Sequence, residues 1–202
     1  MGSMREVLVI SYYTLDTPYV DEAKHLQDSC AKWNIDAEIL GVASLGSWER
    51  NCAIKPGFIL QMLEKHRRPL FWVDADAVFL QKPNFAQFSD CDIAVRINDY
   101  LEKEHESYLA SGSIFINDTE GAKEVLSLWQ AETAKQIVQP GRVFEYWDQV
   151  GLRDVLQRKT GVRVASLPVG YCKIFDLDDI FIRDEDVVVE HHQASRAHKA
   201  RI

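Results

Sequence analysis

The chain has 202 residues, and its 31 acidic against 23 basic side chains leave a formal charge of −8 at neutral pH. With 47% hydrophobic and 27% charged residues it is composed as a globular protein, and its length fits one domain spanning residues 1–202 whose core needs no staple. The acidic balance excludes a general grip on the nucleic-acid backbone, which needs clustered Lys and Arg, so no nucleic-acid partner is expected.

Residues 6–13 (EVLVISYY) form an apolar, β-rich run that reads as a buried strand. Thr17-Pro18 suits a helix start, with Thr as cap and Pro in the first turn. Behind it Val20, Ala23, Leu26, Cys30 and Trp33 recur at helical spacing. A second strand is expected over 37–42, followed by a loop through Gly46 and Ser47. Pro56 opens a helix carrying Ile59, Met62, Leu63 and His66, and residues 69–73 (PLFWV) make a strand running straight into Asp74-Ala75-Asp76. Strands follow at 92–97 and 113–116 around a charged loop, 98–106. Helices are expected at 119–136 and 148–159, and late strands at 162–164, 172–175 and 187–190. This alternation is that of an α/β protein with a mostly parallel central sheet flanked by helices. Ligands of such a sheet bind at the carboxyl ends of its strands, which points to Thr14, Asp74 and Asp76.

Four cysteines, Cys30, Cys52, Cys91 and Cys172, show no paired spacing. That disfavours a zinc knuckle or a C-x-x-C redox site and suits a reducing cytoplasm. No apolar run approaches the ~20 residues that cross a bilayer, so no transmembrane segment is expected. Residues 1–3 read as a cloning remnant ahead of a start at Met4.

Asp74 and Asp76, one residue apart at the end of a buried strand, can face the same side of the backbone. Such a pair attracts a hard divalent cation, which often shares its oxygen ligands with substrate phosphates. The alternative is that both merely solvate a strand end. The tail VVVEHHQASRAHKARI turns an apolar strand into a basic segment. An imidazole from His191 or His192 would complete a mixed carboxylate–imidazole site that suits Mn2+ better than Mg2+, although Mg2+ fits the carboxylates. Arg196 and Lys199 are candidates to neutralise phosphate. A frayed, solvated tail is the alternative.

These pieces occur in an order that resembles the small nucleotide-sugar glycosyltransferases of the GT-A fold. They are VLVISYYT near the start, Lys55-Pro56 heading a helix, and LFWVDADAVFLQKP beginning at Leu70. They continue with SGSIFIN beginning at Ser111, Trp129, Trp147-Asp148-Gln149 and HHQASR beginning at His191. The resemblance covers almost the whole chain and implies a single-domain, Rossmann-like nucleotide-diphospho-sugar transferase fold. It implies Asp74 and Asp76 as D-x-D ligands of Mn2+, with His191, or else His192, as the late ligand. The donor would be a UDP-sugar and the acceptor a sugar, a lipid-linked group or a protein.

By the same likeness Asp148 and Gln149 lie by the donor sugar, with Ser111 and Gly112 beneath it. Tyr12, Tyr13 and Thr14 hold the nucleoside. Family members often have Asn before that Ser-Gly, where this chain has Ala110. The family's H-x-x-G-x-x-K spacing is not reproduced, which leaves Arg196 and Lys199 interchangeable at the diphosphate. Asp148 would serve as base in an inverting enzyme and Gln149 would sit by the anomeric centre in a retaining one; the likeness leans towards retention. Helix capping is the plainer role for Asp148.

Among the tryptophans, Trp33, Trp72 and Trp129 fall on apolar faces and read as core, while Trp48 and Trp147 are the candidate ligand contacts. Lys55 and Arg50, just before the helix at Pro56, can approach a nucleotide. A rival reading is a haloacid-dehalogenase-like phosphatase built on Asp74 and Asp76, with Asp178-Asp179 as its later acidic pair. A third is a catalytically inactive nucleotide-sugar-binding module.

Overall fold

A computed structural model describes residues 6–137, 148–178 and 180–198. Strand β1 (Leu8–Thr14) is buried on both faces, as its unbroken apolar run requires of a strand inside a covered sheet. Helix α1 (Tyr19–Lys32) follows, with Thr17 Oγ accepting the Tyr19 N–H, and buries Ala23, Leu26 and Cys30. After β2 (Ala37–Val42) the expected loop contains a helix, α2 (Trp48–Ala53), capped by Ser47 Oγ on the Arg50 N–H. Its sequence WERNCA has no apolar stripe, which is why periodicity misses it. Helix α3 (Lys55–His66) leads into β3 (Leu70–Val73), all four of whose residues are buried.

The chain then forms β4 (Ala77–Phe79), β5 (Ile93–Ile97), β6 (Leu109–Ile116), α4 (Glu120–Ile137) and α5 (Asp148–Arg158). It ends with β7 (Val164–Ser166), β8 (Lys173–Ile174), β9 (Val189–His191) and the short α6 (Ser195–His198). The late strands are thus displaced by a residue or two from their expected positions. Strand β6 begins four residues earlier than expected, because Leu109 and Ala110 pair with Ile97 and Arg96 across a register shift in β5. That extension carries Ser111 and Gly112 into the sheet.

The main sheet has the order β2-β1-β3-β6-β5-β7. Only β6 runs antiparallel to its neighbours, so the sheet is mostly parallel as expected. Ile10, Leu63, Trp72, Val125 and Trp129 are buried on one face, beneath α3 and α4. Val9, Leu26, Phe71, Phe115 and Tyr171 are buried on the other, beneath α1. A second sheet, β4-β9-β8, sits at the carboxyl end of β3 and pairs Ala77 with His191. It brings the two ends of the tail-and-aspartate constellation to one place. No described helix is long and apolar enough to cross a membrane.

Candidate active site

Asp74 and Asp76 leave β3 where its hydrogen bonds to β6 stop, and the Asp74 N–H still donates to Gly112 O at 2.9 Å. Pairing of β4 with β9 sets His191 beside Asp76, with His191 Nδ1 3.7 Å from Asp76 Oδ1. One ligand atom each from Asp74, Asp76 and His191 lies within 4.8 Å of the others. The His191 ring is 2% exposed and shares a hydrogen bond of 2.8 Å with Ser113 Oγ. Asp76 Oδ2 accepts the Ala194 N–H at 2.8 Å, and Asp76 O accepts the His192 N–H at 3.0 Å. These bonds tie the segment after β9 to the aspartate turn. Burial raises Asp76, but His191 and the Ala194 N–H hold its carboxyl below the usual range. Burial also lowers His191, yet Cys172 and Asp76 outweigh it and push the imidazole up to about 10. Of the two histidines, His191 faces the aspartates. His192 is 41% exposed, with Nε2 3.4 Å from Glu190 Oε1.

A second constellation adjoins the first. Lys55 heads α3, is 4% exposed, and reaches 2.9 Å to Asp74 Oδ1 and 2.6 Å to Asp148 Oδ2. Ser111 Oγ donates to the same Asp148 oxygen at 2.9 Å, and Lys55 Nζ lies 5.3 Å above the Trp72 ring. Burial alone would lower the Lys55 ammonium; Asp148 and Asp74 reverse that and keep it charged. The Asp148 carboxylate therefore turns sideways to Lys55 and Ser111. Trp72 and Trp129 are core residues as expected, but each uses its indole N–H here. Trp72 donates to Asp74 Oδ1 at 3.1 Å and Trp129 to Asp148 O at 2.8 Å. Among the described residues three carboxylates surround one ammonium and one imidazole, an arrangement short of positive charge.

Both groups open into a cleft of about 360 Å3. Tyr12, Tyr13 and Thr14 line its end at β1, with Ser111, Gly112 and Gln149 also on its walls. Tyr12 OH donates to Asn51 O at 2.7 Å, which joins β1 to α2. Trp48, singled out from the sequence, lines the cleft and donates from Nε1 to Tyr19 OH at 3.3 Å. Tyr19, Asn98, Leu177 and Gln193 line it too and were not found from the sequence, whereas Glu106 ends the charged run 102–106 that reads as a solvated loop or an acceptor-side lid. Of the four, Tyr19 alone had a signal, since it opens the helix that follows β1.

Arg196 does not line the cleft: its guanidinium pairs with Asp176 and lies 5.9 Å over the Phe175 ring. Lys199 and Trp147 fall outside the described residues. Asp178, the rival phosphatase's later acid, is 3% exposed and held by Arg96 Nη1 and Nη2 at 2.5 and 2.7 Å. It is structural here, and Asp179, the other half of that pair, falls outside the described residues.

A family model described as nucleotide-diphospho-sugar transferase matches residues 7–197. Among solved structures, a glycosyltransferase involved in the glycosylation of the major capsid of PBCV-1 superposes with a TM-score of 0.70. It is 17% identical, and the match covers 95% of each chain, so the likeness is one of fold. No curated protein matches the chain in sequence.

Proposed function

The chain belongs to the nucleotide-diphospho-sugar transferase family, and from that premise we propose that it moves a sugar from a UDP-sugar, held with Mn2+, to an acceptor hydroxyl. The carrying observation is the meeting of Asp74, Asp76 and His191 beside the Lys55–Asp148 pair. Two carboxylates and an imidazole are a donor set that suits Mn2+, with Mg2+ as the harder alternative. When bound, the cation would neutralise charge developing on the departing diphosphate.

The chain's own groups have separable tasks in this reading. Tyr12, Tyr13 and Thr14 receive the nucleoside. Ser111 and Gly112 form the floor under the sugar, where a larger side chain at 112 would strike His191. Lys55 orients Asp74 and Asp148 and stays charged while doing so. Asp148 already holds Lys55 and Ser111, which supports a role in orienting the sugar over one as a free base. Gln149, whose Nε2 donates to Glu106 O at 3.1 Å, stands at the sugar end, in keeping with retention. Arg196 reaches a diphosphate only after leaving Asp176, and Lys199 is the other candidate for that charge. The four free thiols support a cytoplasmic setting.

Titration calorimetry of UDP-sugars with and without Mn2+, followed by a sugar-release assay, tests the reading. The expected result is Mn2+-dependent binding with slow release of sugar. Binding without turnover would make the chain an inactive binding module. Hydrolysis of p-nitrophenyl phosphate without donor binding would restore the phosphatase.

A further inference from the structure

Two loops far apart in sequence meet at one rim of the cleft. The loop after β5 carries Asn98, Tyr100 and Glu106, and the turn after β8 carries Leu177 and Phe181. Asn98, Glu106 and Leu177 line the cleft itself. Just outside it the rings of Tyr100 and Phe181 stack at 5.4 Å with 17° between their planes. Both remain open to solvent, Tyr100 at 60% and Phe181 at 49%, and Leu177 is 58% exposed beside them in sequence.

Such a patch costs hydration unless something covers it, and the two loops are not loose. Beneath the stack Arg96 bridges them with its buried, two-point pair to Asp178. Arg96 Nε also donates to Asn98 Oδ1 at 2.9 Å and Nη1 to Cys172 O at 2.8 Å. Asn98 Nδ2 donates to Ser107 O at 2.7 Å, and Asp178 Oδ2 accepts the Ile174 N–H at 2.7 Å. A buried charge pair with further hydrogen bonds holds geometry more than it adds stability. Here the geometry it holds is an exposed aromatic stack on the same two loops as the cleft-lining Asn98 and Leu177.

We propose that the Tyr100–Phe181 stack, with Glu106 on the adjoining cleft wall, is the acceptor subsite and receives a carbohydrate, one pyranose ring lying on the solvent-facing side of one aromatic ring while the other ring backs it. Aromatic faces carry partial negative charge and attract the C–H face of a sugar. The Glu106 carboxylate on the adjoining wall is suited to its hydroxyls, the pattern of an apolar site with a placed polar group. The assignment rests on the transfer reading above, because an acceptor hydroxyl must approach the donor from the cleft mouth.

The test uses the whole chain and methyl and octyl glycosides of common hexoses and pentoses as probes. Saturation-transfer NMR should show contact to the ring protons of at least one methyl glycoside. Tyr100→Ala and Phe181→Ala should each weaken that contact about tenfold, while Tyr100→Phe retains it. UDP-sugar affinity with Mn2+ should stay within twofold in all three variants. Absence of contact from every methyl glycoside, or contact confined to octyl chains, overturns the proposal, the latter in favour of a lipid. Equal loss of UDP-sugar binding in the alanine variants also overturns it, by assigning the rings to the donor. If glycosides bind at the platform while no donor is bound or consumed, the transfer reading fails and the sugar platform stands.

Discussion

Gly112 lies against the imidazole of His191: a Cβ there would stand 3.1 Å from Cε1 and 3.3 Å from both ring nitrogens. The ring has little room to yield, being buried and bonded to Ser113. Gly112→Ala should therefore cost about 1–2 kcal/mol of stability through overpacking. It should also weaken Mn2+ binding roughly tenfold by turning the ring. Thermal unfolding with and without Mn2+ measures both, and an unchanged Mn2+ affinity would remove His191 from the ligand set.

Asp76 has two duties, one per oxygen, since Oδ1 faces His191 and Oδ2 holds the Ala194 N–H. Asp76→Ala leaves that buried N–H without its acceptor and should lower stability by about 1–3 kcal/mol. Asp76→Asn keeps an acceptor and is the cleaner variant. Its Mn2+ affinity should fall by more than roughly a hundredfold, beyond the loss of an outer-shell partner. Calorimetry showing wild-type Mn2+ affinity in Asp76→Asn would sink the metal assignment.

Lys55→Met should destabilise the protein by about 3 kcal/mol or more in metal-free buffer, because it leaves Asp148 and Asp74 uncompensated. Adding Asp148→Asn to it should return part of that loss. If denaturant unfolding shows the two changes to be additive, the pair is not coupled.

Acid stability reports on a site far from the cleft. Three bonds from Arg163, Nη2 to Asp92 Oδ1 at 2.7 Å and Nε and the backbone N–H to Oδ2 at 3.3 and 2.8 Å, lower the Asp92 carboxyl to about 2. A depressed carboxylate contributes stability above its unfolded value of roughly 4, and that contribution disappears as pH falls through about 2. Unfolding midpoints should thus drop between pH 4 and 2, and Asp92→Asn should flatten that part of the profile. A variant with the wild-type slope would assign the acid loss elsewhere.

Much of the fold was legible because its long elements are strongly patterned. Strand β2 falls on its expected residues, and α3, α4 and α5 start or stop within a residue or so of theirs. The short pieces were not legible. Strand β4 is three residues long and merges with the aspartate turn, while the head of β6, Leu-Ala-Ser-Gly, mixes polar and apolar residues without alternation. For the site, strand-end reasoning pointed to Thr14 and the two aspartates and the tail's composition to His191 or His192, while the family likeness supplied Asp148, Gln149, Ser111 and Gly112. Neither shows that Lys55 reaches Asp148, since that contact joins the first residues of α3 and α5, far apart in sequence on one face of the sheet, and leaves no local mark in either segment. Nor does a basic tail disclose that Arg196 pairs with Asp176; the partner acid lies on a different turn.

The register that sets Ala77 opposite His191 has a consequence for the order of assembly. A nascent chain that has emerged only through α5 already possesses β1, β3 and β6, and with them both aspartates of the site. It still lacks β9, and so the imidazole and the Ala194 N–H that steady Asp76. Such an intermediate holds crowded carboxylates around Lys55 with no third ligand, and non-local pairings of this kind form late and slowly. On the proposed metal reading, competence to hold a cation would arise only once β9 has been made, and a cation present at that moment would favour docking of β9 by mass action.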